Sequence, residues 1–123
     1  MSGEDRKRSL ANLRGIDAER IALCLLIMKG YWPLARRYLA HSGEIDLVMK
    51  RGRTIVAVEV KSRPDFDAAI RTLTPAKQQR IARAMQQFRA RRNLDDRYIC
   101  RYDAVLVVPW RWPQHIENIG PLE

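Results

Sequence analysis

Two short segments of the chain carry carboxylate and amine side chains at a spacing suited to metal-assisted chemistry. Glu44 and Asp46 stand two residues apart in one segment, and Glu59 and Lys61 do so in another that is rich in β-branched residues. Residues two apart in a strand point to the same face, so each pair shares a face. Carboxylate oxygens suit Mg²⁺ or Mn²⁺, and such a cation can activate water and stabilise charge on a phosphate. A neighbouring lysine can position or deprotonate that water.

The turn between the two segments decides whether these side chains meet. We expect a two-residue hairpin loop at Arg51-Gly52. Counting back from this loop places Asp46 opposite Ala57. The same register places Glu44 opposite Glu59, so that three carboxylates and a lysine converge on one face. Like charges that face each other in a sheet repel, and a divalent cation would offset this cost.

A plainer interpretation of the same residues stays open. Glu59 and Lys61 would then form an ordinary ion pair on a solvated strand, as alternating charges often do. A loop of another length would also put the two strands out of phase. The metal-site hypothesis therefore depends on the hairpin.

The hydrophobic pattern predicts a single α/β domain over residues 1–123 with the element order α-β-β-β-α-β. An antiparallel meander followed by a helical crossover gives a mixed sheet with helices packed on it. Residues 1–11 are expected to be flexible, and residues 109–123 are expected to form an irregular tail in which His115 has no partner. The expected elements are a helix at 13–29, strands at 31–38, 44–50 and 54–61, a helix at 75–92 and a strand at 98–108.

The charge balance favours a polyanionic partner. The 123 residues carry a formal net charge of +9 at pH 7, which is typical of nucleic-acid binding, with anionic membrane and ribosomal surfaces as alternatives. The longest apolar run, at 21–28, has eight residues, and a spanning helix needs about 20. Cys24 and Cys100 show neither metal-ligand spacing nor a disulfide framework, which favours a reducing cytoplasm.

The expected second helix has basic residues and no acidic residue between positions 75 and 92. A face of one sign is typical of contact with a phosphate backbone, whereas a solvated helix face, the other interpretation, usually mixes signs. No residue here is placed to identify bases, so we expect recognition of shape or backbone. The residues expected to contact nucleic acid are Lys77, Gln78, Arg80 and Arg83 in the helix, with Arg37 and Arg51 near the hairpin. Lys77 and Gln78 stand in the first turn of the helix, from which we expect them to reach the active cleft.

The ordered motifs resemble a known superfamily. The segment 43–48, Gly-Glu-Ile-Asp-Leu-Val, followed by 58–61, Val-Glu-Val-Lys, is similar to the bipartite D…(D/E)-x-K signature of the restriction-endonuclease-like superfamily. The two pieces are ordered as in archaeal Holliday junction resolvases. Over residues 15–108 the chain resembles the YraN-like family, a bacterial family placed in that superfamily, including the segments Gly30-Tyr31, Ala76-Lys77 and 101–103.

The resemblance implies a restriction-endonuclease-like fold and a structure-selective endonuclease that cleaves DNA with Mg²⁺ or Mn²⁺. It assigns Asp46 and Glu59 as metal ligands and Lys61 as the catalytic lysine, and it makes Glu19 of the first helix the acidic residue that completes the site. Glu44 belongs to the motif and either ligates the metal through water or holds the strand. Cleavage of two strands would favour a symmetric homodimer.

Two other classes of function remain open. The basic helix would serve equally well in a nucleic-acid-binding module that has this fold without efficient catalysis. A protein-interaction adaptor is the third class, with Trp110 and Trp112 of the tail as the contact residues.

Overall fold

The computed structural model of the chain describes residues 18–120 and 122, which form one five-stranded sheet with helices on both faces. The first helix, α1, is helical over residues 18–28. Its expected start at residue 13 and the expected flexible segment 1–11 lie outside the described residues. The other elements are β1 Trp32–Ala40, β2 Gly43–Arg51, β3 Thr54–Ser62, α2 Phe66–Ile70, α3 Pro75–Arg91, β4 Ile99–Val107 and β5 Gln114–Gly120.

The sheet is mixed, as expected from the element order. Strands β1, β2 and β3 form an antiparallel meander, and the crossover through α2 and α3 places β4 parallel to β3. The spatial order is β1-β2-β3-β4-β5, so β1 is an edge strand. This position suits Pro33, which lacks a backbone donor and lies at a register shift in β1.

The expectation of an irregular tail over 109–123 was wrong. Residues Gln114–Gly120 form β5, which pairs antiparallel with β4. The strand contains few apolar residues and carries Asn118 at a φ of 54°, so its own sequence is a weak strand signal. Pairing with the edge of β4 supplies the stabilisation that the local pattern does not predict.

Two apolar layers cover the faces of the sheet. On one face, Leu26 of α1 packs with Val56 and Val58 of β3. On the other face, Phe88 of α3 packs with Ile55 of β3. Because β3 is buried on both faces, nearly every residue along it is apolar until its last residues, where charged side chains appear. Within residues 18–120, no helix is long and apolar enough to cross a membrane.

The hairpin loop lies one residue later than expected. Arg51 pairs with Thr54, so the loop is Gly52-Arg53. Gly52 has a φ of +62°, and a glycine with positive φ at the first loop position is typical of a type II′ hairpin turn. The expected register, with Asp46 opposite Ala57, was therefore wrong by two residues. A register shift of two residues leaves every side chain on its expected face of the sheet. The next residues beyond the last pair, Leu47–Val58, are Asp46 and Glu59, which therefore lie across from each other.

Gly52→Ala should lower the free energy of unfolding by about 1 kcal/mol, because an L-residue is strained at this φ. A Cβ at position 52 would meet no atom within 4 Å, so the change isolates backbone strain. Arg53→Ala, at the neighbouring loop position, is the control and should change the free energy by less than about 0.5 kcal/mol. Urea denaturation followed by circular dichroism measures both, and equal effects of the two substitutions would contradict the turn assignment.

Candidate active site

The hairpin ends where the two acidic strands separate. The last backbone pair between β2 and β3 is Leu47–Val58, and Asp46 is the next residue. Here a side chain, instead of the backbone, links the two strands: Asp46 Oδ2 accepts a hydrogen bond from the backbone N–H of Val60 at 2.8 Å. This bond fixes the carboxyl of Asp46 beside the end of β3, next to Glu59.

Asp46 is an unusually basic carboxylate. Burial raises its pKa from the usual 3.8 to about 6, and the negative charge of Glu59 acts in the same direction. The hydrogen bond from Val60 and the charge of Lys61 oppose this rise, and Glu19 adds to it. Asp46 is therefore close enough to Glu59 and Glu19 for both of their charges to raise its pKa.

Glu59 is the most buried carboxylate of the site, with 4% of its surface exposed. Its Oε1 lies 3.0 Å from Lys61 Nζ and 2.6 Å from Lys77 Nζ. A carboxylate this deeply buried requires positive partners, since an unpaired charge would be strongly destabilising. The expected proximity of Glu59 and Lys61 is thus observed, but as a buried pair with a third member from α3.

Lys77 reaches this cluster from the first turn of α3. Thr74 caps the helix, its Oγ1 accepting a hydrogen bond from the backbone N–H of Lys77 at 3.3 Å, and Pro75 occupies the first helical position. Burial lowers the pKa of Lys61, and the neighbouring ammonium of Lys77 lowers it further. Burial also lowers the pKa of Lys77, but its hydrogen bonds to Glu59 and Lys61 outweigh this effect and raise the pKa overall.

Glu19 of α1 is held at the margin of the same site by Arg37 of β1. Arg37 Nε lies 3.3 Å and 3.2 Å from the two carboxylate oxygens of Glu19. The backbone of Arg37 has a φ of 51°, which costs an L-residue roughly 1 kcal/mol. Strained backbone of this kind is concentrated at functional sites. The basic residue expected to contact nucleic acid therefore lies against the acidic residue expected to complete the site.

Glu44 does not lie in the cluster of Asp46 and Glu59. It is exposed and pairs with Leu39 of β1, so its expected position opposite Glu59 was wrong because the hairpin register differs. Among residues 18–120 and 122, no group of three histidine, cysteine, aspartate or glutamate side chains is arranged to hold a metal ion. The carboxylates that the structure brings near each other are those of Asp46 and Glu59, with Glu19 beside them.

The chemistry of this donor set fits a magnesium-like cation. Mg²⁺ keeps several waters and is usually held by one or two carboxylates together with substrate phosphates, and Asp46 and Glu59 would supply these carboxylates. Tyr102 lies behind them: burial raises the pKa of its hydroxyl, as do the charges of Glu59 and Asp46. That hydroxyl is buried and has no hydrogen-bond partner within the described part of the chain.

The other residues expected to contact nucleic acid fall into two groups. Arg80 and Arg83 are exposed on α3, as the sequence predicts for a surface that binds a polyanion. Gln78 is partly buried against Gly120 of β5. Arg51 lies at the hairpin end of β2, roughly 17 Å along the strand from Asp46, with its guanidinium over the ring of Tyr31 at 4.3 Å.

A second buried charged cluster on the α1 side of the sheet was not expected from the sequence. Asp103 is fully buried and is bound by Arg101 at 2.8 Å through both oxygens. His115 Nε2 lies 2.7 Å from Asp103, and its Nδ1 lies 2.7 Å from Lys29 Nζ. The expectation that His115 has no partner was therefore wrong. The two-residue spacing of Arg101 and Asp103 was the one signal for this cluster, which fastens β5 to the sheet.

These features define a mixed α/β protein with a buried cluster of acidic and basic side chains where β2 and β3 separate. The chain belongs to the Uncharacterised protein family UPF0102, whose model matches residues 18–107. That match includes every residue of the cluster.

Curated relatives with the same name cover nearly the whole chain. A UPF0102 protein of Methylobacterium nodulans is 48% identical over 118 residues, which is 96% of this chain and 92% of the relative. One of Methylorubrum extorquens is 46% identical over 117 residues, with 95% and 91% covered. One of Brucella canis is 42% identical over 110 residues, with 89% and 87% covered. Membership in an uncharacterised family is thus confirmed, and the restriction-endonuclease-like superfamily remains a prediction.

Asp46→Asn should stabilise the metal-free protein at pH 8 and have little effect at pH 4. A carboxyl whose pKa is raised in the folded state favours folding below its unfolded value and loses this contribution as the pH rises through about 6. Because asparagine mimics the protonated acid, we expect a gain of about 1–2 kcal/mol at pH 8, reduced for partial exposure. Urea unfolding in EDTA at both pH values tests this, with the exposed Asp96→Asn as control. A variant that is no more stable than the wild type at pH 8 would contradict the account.

Proposed function

We propose that the chain is a restriction-endonuclease-like, Mg²⁺- or Mn²⁺-dependent endonuclease that hydrolyses phosphodiester bonds of DNA. The observation that carries this proposal is the carboxylate pair of the half-buried Asp46 and the buried Glu59, with Lys61 two residues along the same strand. Repulsion between two carboxylates is costly in an apolar sheet. A divalent cation bound between the two carboxylates would offset this repulsion.

Each residue of the cluster has a distinct role in this proposal. Asp46 and Glu59 hold the cation, which when bound polarises a phosphate oxygen and lowers the pKa of a bound water. Lys61, whose ammonium pairs with Glu59, would position the attacking water and offset negative charge that develops on the phosphate. Glu19 contributes negative charge at the margin of the site, and the Val60 amide keeps Asp46 in place.

The charge distribution supports a nucleic acid as the substrate. The chain has a net charge of +9, and α3 carries exposed arginines, among them Arg80 and Arg83, on the helix that also delivers Lys77 to Glu59. Arg80 follows Lys77 by three residues, so the two lie on neighbouring parts of one helical face. This face would contact the phosphate backbone and align a phosphodiester with the carboxylates.

The proposal extends to the structure of the DNA substrate. The likeness of the motifs to junction resolvases supports a branched substrate. Cleavage of two strands of a symmetric junction would require a symmetric homodimer. The proposal includes action in the cytoplasm, where bacterial DNA lies.

Two observations favour a second function, in another class of protein. Both lysines already neutralise Glu59, and no three acidic or histidine side chains in the described residues converge as a metal site. This arrangement would suit a nucleic-acid-binding module that has the fold without efficient catalysis. Binding of DNA in EDTA, with no cleavage when Mg²⁺ or Mn²⁺ is added, would favour this module.

The proposed endonuclease should lose cleavage when either Asp46 or Glu59 loses its charge. Asp46→Asn and Glu59→Gln preserve the side-chain shape, and each should reduce metal-dependent cleavage by roughly a hundredfold or more because cation ligands are removed. The assay uses labelled four-way-junction, flap, single-stranded and duplex DNA, with a matched RNA duplex, in Mg²⁺, Mn²⁺ or EDTA.

Asp96→Asn is the matched control for the cleavage assay. Asp96 is exposed and follows α3, so its loss removes one negative charge from the chain without changing the site. We expect this variant to cleave like the wild type. Cleavage that survives Asp46→Asn and Glu59→Gln in the folded protein would exclude the proposed site.

A further inference from the structure

Lys77 makes the closest charged contact in the cluster, although it does not belong to the motif on β3. Its Nζ lies 2.6 Å from Glu59 Oε1, and the Nζ of Lys61 lies 3.0 Å from the same oxygen. Two ammonium groups thus share one carboxylate oxygen. Together they supply the positive charge that a buried Glu59 requires.

A divalent cation on Glu59 would enter a place where positive charge is already present. A cation close to two ammonium groups would be repelled by both, and interactions of this kind are strong in a partly buried site. Since Glu59 needs far less compensation once a cation is bound, at least one lysine would have to leave the oxygen. Cation binding at this site is therefore a competition with a side chain of the protein itself.

The structure indicates which lysine would move. The side chain of Lys61 is 16% exposed and projects from β3, whereas that of Lys77 is 30% exposed and lies in the first turn of a surface helix. Lys77 therefore has the easier route to solvent. One helical turn further on is the exposed Arg80, so a displaced ammonium of Lys77 would join a surface suited to phosphates.

We propose that Lys77 is a displaceable internal cation, which competes with divalent cations for Glu59 and becomes a phosphate contact once it is displaced. This inference rests on the proposed function, because it assigns a further residue to the same cation site. It also makes binding of the cation and binding of DNA mutually reinforcing, since each favours the state in which Lys77 has left Glu59.

The first test measures Mn²⁺ affinity of the full chain by isothermal titration calorimetry at pH 8. Lys77→Met removes the competing ammonium and should bind Mn²⁺ roughly tenfold more tightly than the wild type. Lys77→Arg keeps a positive charge at this place and should bind with nearly the wild-type affinity.

Arg80→Met is the matched control for this titration. It removes the same charge from the same helix without a contact to Glu59, so it should change the affinity by less than about twofold. If Lys77→Met binds no more tightly than Arg80→Met, Lys77 does not compete with the cation and the inference is wrong, while the proposed function stands. If no variant binds Mn²⁺, both the inference and the cation-dependent function are wrong.

The second test measures DNA affinity of the wild type and Lys77→Met, in EDTA and in Ca²⁺. In EDTA, Lys77 is engaged with Glu59, so the dissociation constants of the two proteins should differ by less than about twofold. In Ca²⁺, the displaced lysine contacts phosphate, and its loss should weaken binding by at least about threefold. Comparing the two proteins in each buffer cancels the effect of Ca²⁺ on DNA itself. The same ratio in both buffers would overturn the second half of the inference.

Discussion

Compensation of the buried carboxylate of Glu59 is the constraint on which the rest of this site depends. At 4% exposure, the side chain cannot rely on water, and it lies beside Asp46, whose pKa rises to about 6 through burial and through the charge of Glu59. Such a pair is unfavourable for stability. The chain offsets the cost with Lys61 from the same strand and Lys77 from α3. Both ammonium groups contact the same oxygen of Glu59, at 3.0 Å and 2.6 Å.

The sheet determines where this cluster lies. Two apolar layers hold β3 from both faces, and the β2–β3 ladder stops one pair before Asp46, whose carboxyl then accepts the Val60 amide. On the α1 side, burial raises the pKa of Asp103, but hydrogen bonds from His115, Arg101 and the Asn118 amide outweigh it and hold the pKa below its usual value. One charged cluster thus fastens β5 to the sheet, while the other faces the basic helix α3 and is bound by its Lys77.

Much of the fold follows from periodicity, and the site follows in part. Alternation of polar and apolar residues predicts β2 and β3 and the shared face of Asp46 and Glu59, and this face survives the error in the hairpin because the register shifts by two residues. The position of Glu44 depends on the register itself, so its expected place was wrong. Lys77 was expected to contact phosphate and to reach the active cleft, but its contact with Glu59 in particular depends on how α3 docks against the sheet. That docking is set by long-range packing and is not visible in local spacing.

The most direct test of the account is the position of a bound divalent cation. A crystal of the full chain soaked in Mn²⁺ should show one anomalous peak about 2 Å from carboxylate oxygens of Asp46 and Glu59, with Lys77 displaced from Glu59. The same peak should be absent from crystals of Asp46→Asn. A Mn²⁺ peak at another place, or none while Lys77 keeps its contact with Glu59, would contradict the claim that Asp46 and Glu59 form a cation site.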